Sequence, residues 1–435
     1  MTDQQELPIP YPYHVSATDQ YYDLSSENEG KRPIKKKKKA KKSTRDKAER
    51  KKLRILITTF WDYPAVGGLQ NYITTLKTGL EKLGHKVEII APNQIPKNLT
   101  TKMSKKIVNE TKQFYKKRYG SFSNEIVKEH RRLSCFELML SNMDLEKYDI
   151  FHAQDRFTAN ILGRLNEQYR KPLLFTPHGF MTQRRLTFNL IESGSIEEAY
   201  YSSMDQQAVE NSDHIITLCE AFRPMLRKLG ANDRKITTVY TGIDFKLGSV
   251  KKTKKVVITC ISRLRPRKGH KYLFEALDLL RKDLGNVDVR IVGDGEMRKE
   301  LENQVKALKL KNVSFLGERK DIVDLLCQSD IFVLPTTSDT LPIAIIEEMF
   351  ANQAIITTNQ GGIQEIIEDH HSGLIAESGS SRQLAEKLSL MLNNPALRKT
   401  LAENAREFAE KNLTSTNMVK RIEEIYQSFY KEEVK

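Results

Sequence analysis

Residues 329–367 read SDIFVLPTTSDTLPIAIIEEMFANQAIITTNQGGIQEII. The apolar run 331–334 is a short strand. A polar loop holding Asp339 follows it, a helical stretch opens at Leu341-Pro342 and runs to 351, and a second apolar run, 354–357, makes the next strand. Proline is tolerated in a helix's first turn, where its missing N–H would have had no partner. Strand, helix, strand in this order belongs to a parallel sheet with helices on both faces.

The same alternation extends in both directions. In this half the spacing predicts further strands at 256–261, 287–292, 312–316 and 373–376, with helices near 269–284, 296–309 and 381–411. An earlier set has strands at 53–59, 86–91, 148–153, 172–176, 213–218 and 235–239. Its helices fall near 69–83, 103–118, 122–144, 156–169, 196–211 and 220–229. Between the sets, 246–255 (KLGSVKKTKK) breaks the pattern and reads as a linker. The expected fold is α/β, two doubly wound parallel-sheet domains, 53–245 and 256–413, followed by a terminal helical segment, 414–435. Ligands of open α/β sheets bind beyond the carboxyl ends of the strands, so two facing sheets make one cleft.

The chain has 435 residues, 71 Lys+Arg against 56 Asp+Glu, and a net charge of +15. Three segments account for the whole excess: 1–30 at −6, 31–54 at +13 and 97–132 at +8. No apolar run approaches the roughly 20 residues that span a bilayer. The first thirty residues lack the basic start and apolar stretch of a signal peptide. Cys135, Cys219, Cys260 and Cys327 are far apart and form no metal-ligand pair, which suits a reducing compartment. A cytoplasmic protein is expected, its place at the inner face of a membrane left open.

Residues 1–52, polar and then polybasic (KKKKKAKK), read as a disordered tail, since such a block cannot bury enough apolar area to offset chain entropy. It either solubilises the chain or seeks an anionic membrane leaflet or acidic polymer. Nucleic acid ranks lower, because no aromatics are interleaved for stacking. In 97–132, Ile107, Phe114, Phe122 and Ile126 stand beside eleven bases. That suits either a membrane-surface helix or an ordinary surface helix covering core.

Polar residues gather at the predicted strand ends. Gly67 and Gly68 precede a helix, where backbone can approach a ligand and helix-start amides favour an anion. His152 and Asp155 follow the third strand and His178 the fourth; each suits a structural hydrogen bond or a cleft. In ISRLRPRKG, 261–269, Arg263 and Lys268 lie between a strand and a helix start, a combination that suits a diphosphate. Asp339 either caps the helix after it or faces the cleft. Glu347, eight residues on, could accept the two hydroxyl hydrogen bonds of a diol.

Taken in order, PAVGG, FHAQD, FTPHG, SDHIITLCEAFRPML, VYTGID, ISRLRPRKG, IVGDGE, FLGERKD and DIFVLP…D-x7-E…GGIQEII resemble the retaining nucleotide-sugar glycosyltransferases of family four. Those enzymes have two Rossmann-like domains facing a cleft, the GT-B fold. The resemblance implies donor-diphosphate binding by Arg263, Lys268, Gly67, Gly68, Leu341, Pro342 and Ile343, and ribose binding by Glu347. It puts Arg319, Lys320 and Asp321 at the nucleobase, His178 and Asp339 at the reacting sugar, and His152 and Asp155 on the acceptor side. The segment LTSTNMVKRIEEIYQSFY, 413–430, is similar to the family's closing helix and should pack back on the first domain. The expected chemistry is metal-independent, cofactor-free transfer of a hexose-type sugar, most simply from a UDP-sugar, to a hydroxyl in polysaccharide, glycolipid or glycoprotein synthesis. The family's first carboxylate is usually Glu, and Asp339 is one methylene shorter. A non-catalytic nucleotide-sugar-binding or assembly protein of the same fold is the alternative.

Overall fold

The computed structural model describes residues 10–24, 50–65, 67–179, 181–246 and 254–430. Two six-stranded parallel sheets form its frame. The first holds β1 (Arg54–Thr58), β2 (Lys86–Ile90), β3 (Ile150–Ala153), β4 (Leu173–Phe175), β5 (His214–Thr217) and β6 (Ile236–Thr238), in the order β2-β1-β3-β4-β5-β6. The second holds β7 (Val256–Ile261), β8 (Val287–Val292), β9 (Val313–Gly317), β10 (Ile331–Leu334), β11 (Ala354–Thr358) and β12 (Leu374–Ala376), in the order β12-β11-β10-β7-β8-β9. β3, β4, β10 and β11 are buried at every residue. Strands buried on both faces carry continuous apolar runs, which is why these four were readable. The expected α/β architecture of two Rossmann-like halves is present.

The crossover in 329–367 is formed by the helix Ile343–Phe350, with Pro342 at its N-cap. Ile345, Ile346 and Met349 bury the inner face of that helix against Phe332, Leu334 and Ile355. The helix Ser415–Ser428 crosses to the first half, where Met418, Val419, Ile422 and Tyr426 join the core of β1 and the helix Gly68–Lys82.

Several expectations need correction. The stretch 381–411 is two helices, Ser381–Asn393 and Pro395–Asn412. Pro395 cannot continue the first, and the Asn394 side chain caps the second by accepting from the Leu397 N–H at 3.0 Å. Two short helices, Met181–Thr187 and Ile322–Gln328, were not expected.

Residues 10–24, inside the predicted disordered tail, are folded onto the first half around the helix Val15–Tyr21. Tyr13 is buried and donates to Glu137 at 2.5 Å, with the Arg164 guanidinium 4.1 Å from its ring centre. Asp19 takes both arms of Arg118, at 2.6 and 2.7 Å, and the Tyr119 hydroxyl at 2.7 Å. The polar composition concealed tyrosines able to bury their rings while keeping a polar partner. The lysine run lies outside the described residues.

The segment 97–132 forms an antiparallel helical pair, Lys97–Tyr119 and Asn124–Ser141. Ile107 and Ile126 are fully buried, and Phe114 and Phe122 pack on the core. The apolar face therefore covers protein, and Lys105, Lys116, Lys117 and Lys128 remain exposed. No helix among the described residues is long and apolar enough to cross a membrane.

Candidate functional site

Four strand ends meet across the space between the sheets. After β1, a methyl group placed on Gly67 would lie 3.0 Å from Arg263 Nη2, and one on Gly68 would lie 3.4 Å from Ile343 Cδ1. After β4, the His178 carbonyl accepts from Thr340 Oγ1 at 3.1 Å. Thus Gly67, Gly68 and His178 of the first half stand against Arg263, Thr340 and Ile343 of the second. The turn 67–68 lies at the positive end of the helix Ile343–Phe350, a place that favours an anion. Leu341 and Pro342, just before that helix, are buried beside it.

The second half of the site is braced by its own backbone. Gly269 holds a left-handed conformation, φ 70°, and any side chain there would collide with the Pro335 carbonyl. That close approach lets the Arg267 carbonyl accept from Thr337 N at 2.7 Å and Thr336 Oγ1 at 3.0 Å. The strap 335–340 is thereby laid over 266–269. Asp339 ends this strap, and its carboxylate is held by Arg267, by Lys268 Nζ at 2.6 Å and by Thr336 Oγ1 at 2.7 Å. Burial alone would raise the pKa of Asp339, but the two cations override it and hold the carboxyl below its ordinary range. Asp339 does not cap the helix after it, which has no side-chain cap. Lys268, expected at a diphosphate, is paired with Asp339 at 2.6 Å.

Glu347 is half-buried one turn into the helix, and burial pushes its carboxyl up to about 7. Its neighbour Glu348 is fully buried, and both its oxygens lack a hydrogen-bond partner among the described residues. Burial, reinforced by Glu347, keeps Glu348 protonated well above the usual carboxylate range.

His178 is half-buried at the cleft floor, where desolvation lowers its pKa to about 3 and keeps the ring neutral. Its Nε2 lies 3.0 Å from Gln154 Oε1, and the ring stands edge-on to Tyr72 at 4.8 Å. The other two expected first-half residues are engaged inside their own domain. His152 is wholly buried, with Nδ1 2.6 Å from the Tyr426 hydroxyl and Nε2 2.7 Å from Thr176 Oγ1. Asp155 accepts from Phe60 N at 2.6 Å and Thr158 N at 2.9 Å, tying the end of β1 to the start of the helix Arg156–Tyr169. The structure therefore places both behind the cleft wall, because their polar atoms are taken by neighbouring strand ends. Arg319, Lys320 and Asp321 are exposed after β9, at the sheet edge, with Arg319 paired to Asp321 at 2.6 and 2.8 Å.

Sequence reading missed Arg156, Arg184 and Glu365. Arg156 opens the helix after β3, and the seven-residue helix that carries Arg184 is too short to show a period. Glu365 sits in GGIQEII and accepts from Glu220 N and Ala221 N of the other half, both at 2.7 Å. Among the described residues no three His, Cys, Asp or Glu side chains cluster in a way that could hold a metal ion.

Comparison with known proteins agrees with this arrangement. Residues 66–247 match the family model of Glycosyltransferase Family 4, and residues 244–408 match that of Glycosyl transferases group 1. The chain is 25% identical, over 86% of its length and 97% of the relative's, to N-acetyl-alpha-D-glucosaminyl L-malate synthase of Bacillus anthracis. It is 27% identical, over 62% of its length and 74% of the relative's, to a Campylobacter jejuni enzyme, N,N'-diacetylbacillosaminyl-diphospho-undecaprenol alpha-1,3-N-acetylgalactosaminyltransferase. Among solved structures, Anabaena HepE in complex with UDP superposes with a TM-score of 0.66 at 18% identity, covering 86% of this chain and all of that one. With two facing six-stranded sheets and two family matches that together run from residue 66 to 408, the chain belongs to the group 1, family 4 glycosyltransferases.

Proposed function

We propose that this glycosyltransferase moves a hexose-type sugar from a UDP-sugar to a hydroxyl acceptor, with retention of configuration and without a metal, in glycan, glycolipid or glycoprotein synthesis. The observation that carries this reading is the meeting of the turn 67–68 with Arg263 and the start of the helix Ile343–Phe350. Backbone, guanidinium and helix end together suit a diphosphate. A UDP complex of the Anabaena neighbour agrees with a UDP-sugar donor, and the names of the two relatives, an N-acetyl-glucosaminyl synthase and an N-acetylgalactosaminyltransferase, agree with transfer of a hexose-type sugar.

In this reading the donor draws Lys268 from Asp339 to the diphosphate, and Glu347 accepts the ribose hydroxyls. Arg319, Lys320 and Asp321 border the base. The bond from the anomeric carbon to the diphosphate breaks while the acceptor oxygen attacks from the same face, and the acceptor's proton passes to the departing diphosphate. Arg263, Lys268 and the helix end stabilise the charge that develops there. Neutral His178 contributes a hydrogen bond over the sugar, and Asp339 holds a sugar hydroxyl once Lys268 has moved. The exposed lysines of the helix Lys97–Tyr119 draw the enzyme to an anionic surface by charge alone, since the apolar face of that helix is buried.

The test is incubation of the chain with radiolabelled UDP-glucose, UDP-GlcNAc and GDP-mannose. Transfer, or slow donor hydrolysis, is expected from a UDP-sugar. Neither reaction with any donor would return the chain to the alternative of a non-catalytic binding protein. Arg263→Ala and Lys268→Ala are each expected to weaken UDP binding by about tenfold or more, about 1.4 kcal/mol, with the melting temperature kept. Unchanged affinity in both would overturn the diphosphate assignment.

A further inference from the structure

Asp339 carries two cations on one carboxylate. Arg267 Nη1 holds its Oδ1, and Lys268 Nζ donates to its Oδ2 at 2.6 Å. The side chain of Asp339 is only 10% exposed, so a charge left there without a cation would be costly. The two cations are anchored differently. Arg267 Nη1 also donates to the Ser338 carbonyl at 3.0 Å, which fastens the guanidinium along the strap 335–340. The Lys268 ammonium has Asp339 Oδ2 as its one hydrogen-bond partner among the described residues. It is a point charge on a flexible stem, free to turn toward another anion, whereas a guanidinium is a rigid fork.

Two cations on one carboxylate repel each other. Departure of Lys268 leaves Arg267 and Asp339 as a neutral pair, still tied to the Ser338 carbonyl and to Thr336 Oγ1. In a chain without the Arg267 side chain, the same departure would leave a buried carboxylate with a hydroxyl as its remaining side-chain partner. Lys268 would then stay where it is.

We propose that Arg267 is a positioning residue for the donor: by remaining on Asp339 it lets Lys268 leave for the diphosphate. This rests on the donor reading of Lys268 given above and deepens it. Arg267 touches neither the phosphates nor the sugar, and its contribution is to remove the electrostatic penalty of the exchange. The vacated Oδ2 of Asp339 is the oxygen that then takes a sugar hydroxyl. Substitution at 267 tests the charge cleanly, because the backbone anchors of the strap do not need that side chain. The Arg267 carbonyl accepts from Thr337 N at 2.7 Å and Thr336 Oγ1 at 3.0 Å, and any residue there supplies that carbonyl.

The test is calorimetry of UDP binding to the full chain, with melting temperatures measured alongside. Arg267→Gln is expected to bind UDP about tenfold more weakly than the wild-type chain, since Lys268 is held back on Asp339. Arg267→Lys keeps a cation there and should recover part of the loss. Asp339→Asn frees Lys268 at the outset and should bind UDP at least as tightly as the wild-type chain. The deciding protein combines Arg267→Gln with Asp339→Asn: nothing holds Lys268, and wild-type affinity should return. A loss that persists in the double variant would overturn the inference, because direct contact of Arg267 with the phosphates, or a merely structural role, predicts no recovery. Unchanged UDP affinity in Arg267→Gln would overturn it equally. Where Arg267→Gln fails to fold, Arg267→Lys with and without Asp339→Asn carries the same comparison. A wild-type chain that does not bind UDP, or a Lys268→Ala chain that binds it as tightly, would instead overturn the donor reading and the inference with it, so the two failures are separable.

Discussion

Glu347 is where residue chemistry makes the sharpest demand. Its carboxyl, pushed up to about 7 by burial, is protonated in the folded chain over a range in which an unfolded glutamate is ionised. Folding stability from this group is therefore full below the ordinary carboxylate range and declines as pH rises toward 7. Donor binding has the opposite sign, because a carboxylate accepts two ribose hydroxyls and a carboxylic acid does not. UDP-glucose, whose diphosphate does not titrate here, should bind about tenfold more weakly at pH 6 than at pH 8, following the ionised fraction of a group near 7. Glu347→Gln should bind weakly at both values and lose the slope. A slope retained in that variant would place the titrating group elsewhere. Position and residue type picked out Arg263 and the glycine turn, which the fold brings together. They could not distinguish His178 from His152, since both stand at the ends of apolar strands. What separates them is the partner atom, Gln154 for one and Tyr426 and Thr176 for the other. Tyr426 lies 274 residues from His152, beyond any local pattern.

β7, β8 and the helix Ile196–Asn211 were read to the residue. Short or amphiphilic elements were not. The helix Val15–Tyr21 has seven residues, and it is held by side chains from helices a hundred or more positions away. Its hold is chiefly Tyr13 in the core and Asp19 on Arg118 and Tyr119. The Asp19 carboxyl is lowered mainly by its hydrogen bond to Arg118, against the opposing effect of burial. Its stabilising effect is thus present above the ordinary carboxylate range and is lost as pH falls below it. Asp19→Ala should cost about 1–2 kcal/mol at neutral pH, the half-exposed Arg118 keeping the value modest. Thermal melting should show a drop of a few degrees, accompanied by faster proteolysis before residue 50. An unchanged melting temperature would mean that Tyr13 alone anchors the segment.

At the scale of the molecule, the alternation of strands and helices made two halves legible, but nothing local could say how they are joined. The joining contacts span long separations: Glu365 accepts two backbone N–H groups 144 and 145 residues earlier. Another tie is the passage at Ile243 and Thr414, which are bridged in parallel as the chain returns to the first half. The bridge and the helix Ser415–Ser428 are built of backbone and core. Glu365 is a single half-buried side chain fixing the turn Glu220–Phe222, so it ties the halves together without carrying the fold of either. Glu365→Ala should leave both cores intact and shift the population toward an open cleft. Small-angle scattering should then give a larger radius of gyration than the wild-type chain without donor, with contraction on adding UDP-glucose. Because the competent closed form is a smaller fraction, UDP-glucose affinity should fall by about three- to tenfold. Glu365→Gln keeps one acceptor oxygen and should lie between. Identical scattering and affinity in all three chains would show that Glu365 does not set the angle between the halves.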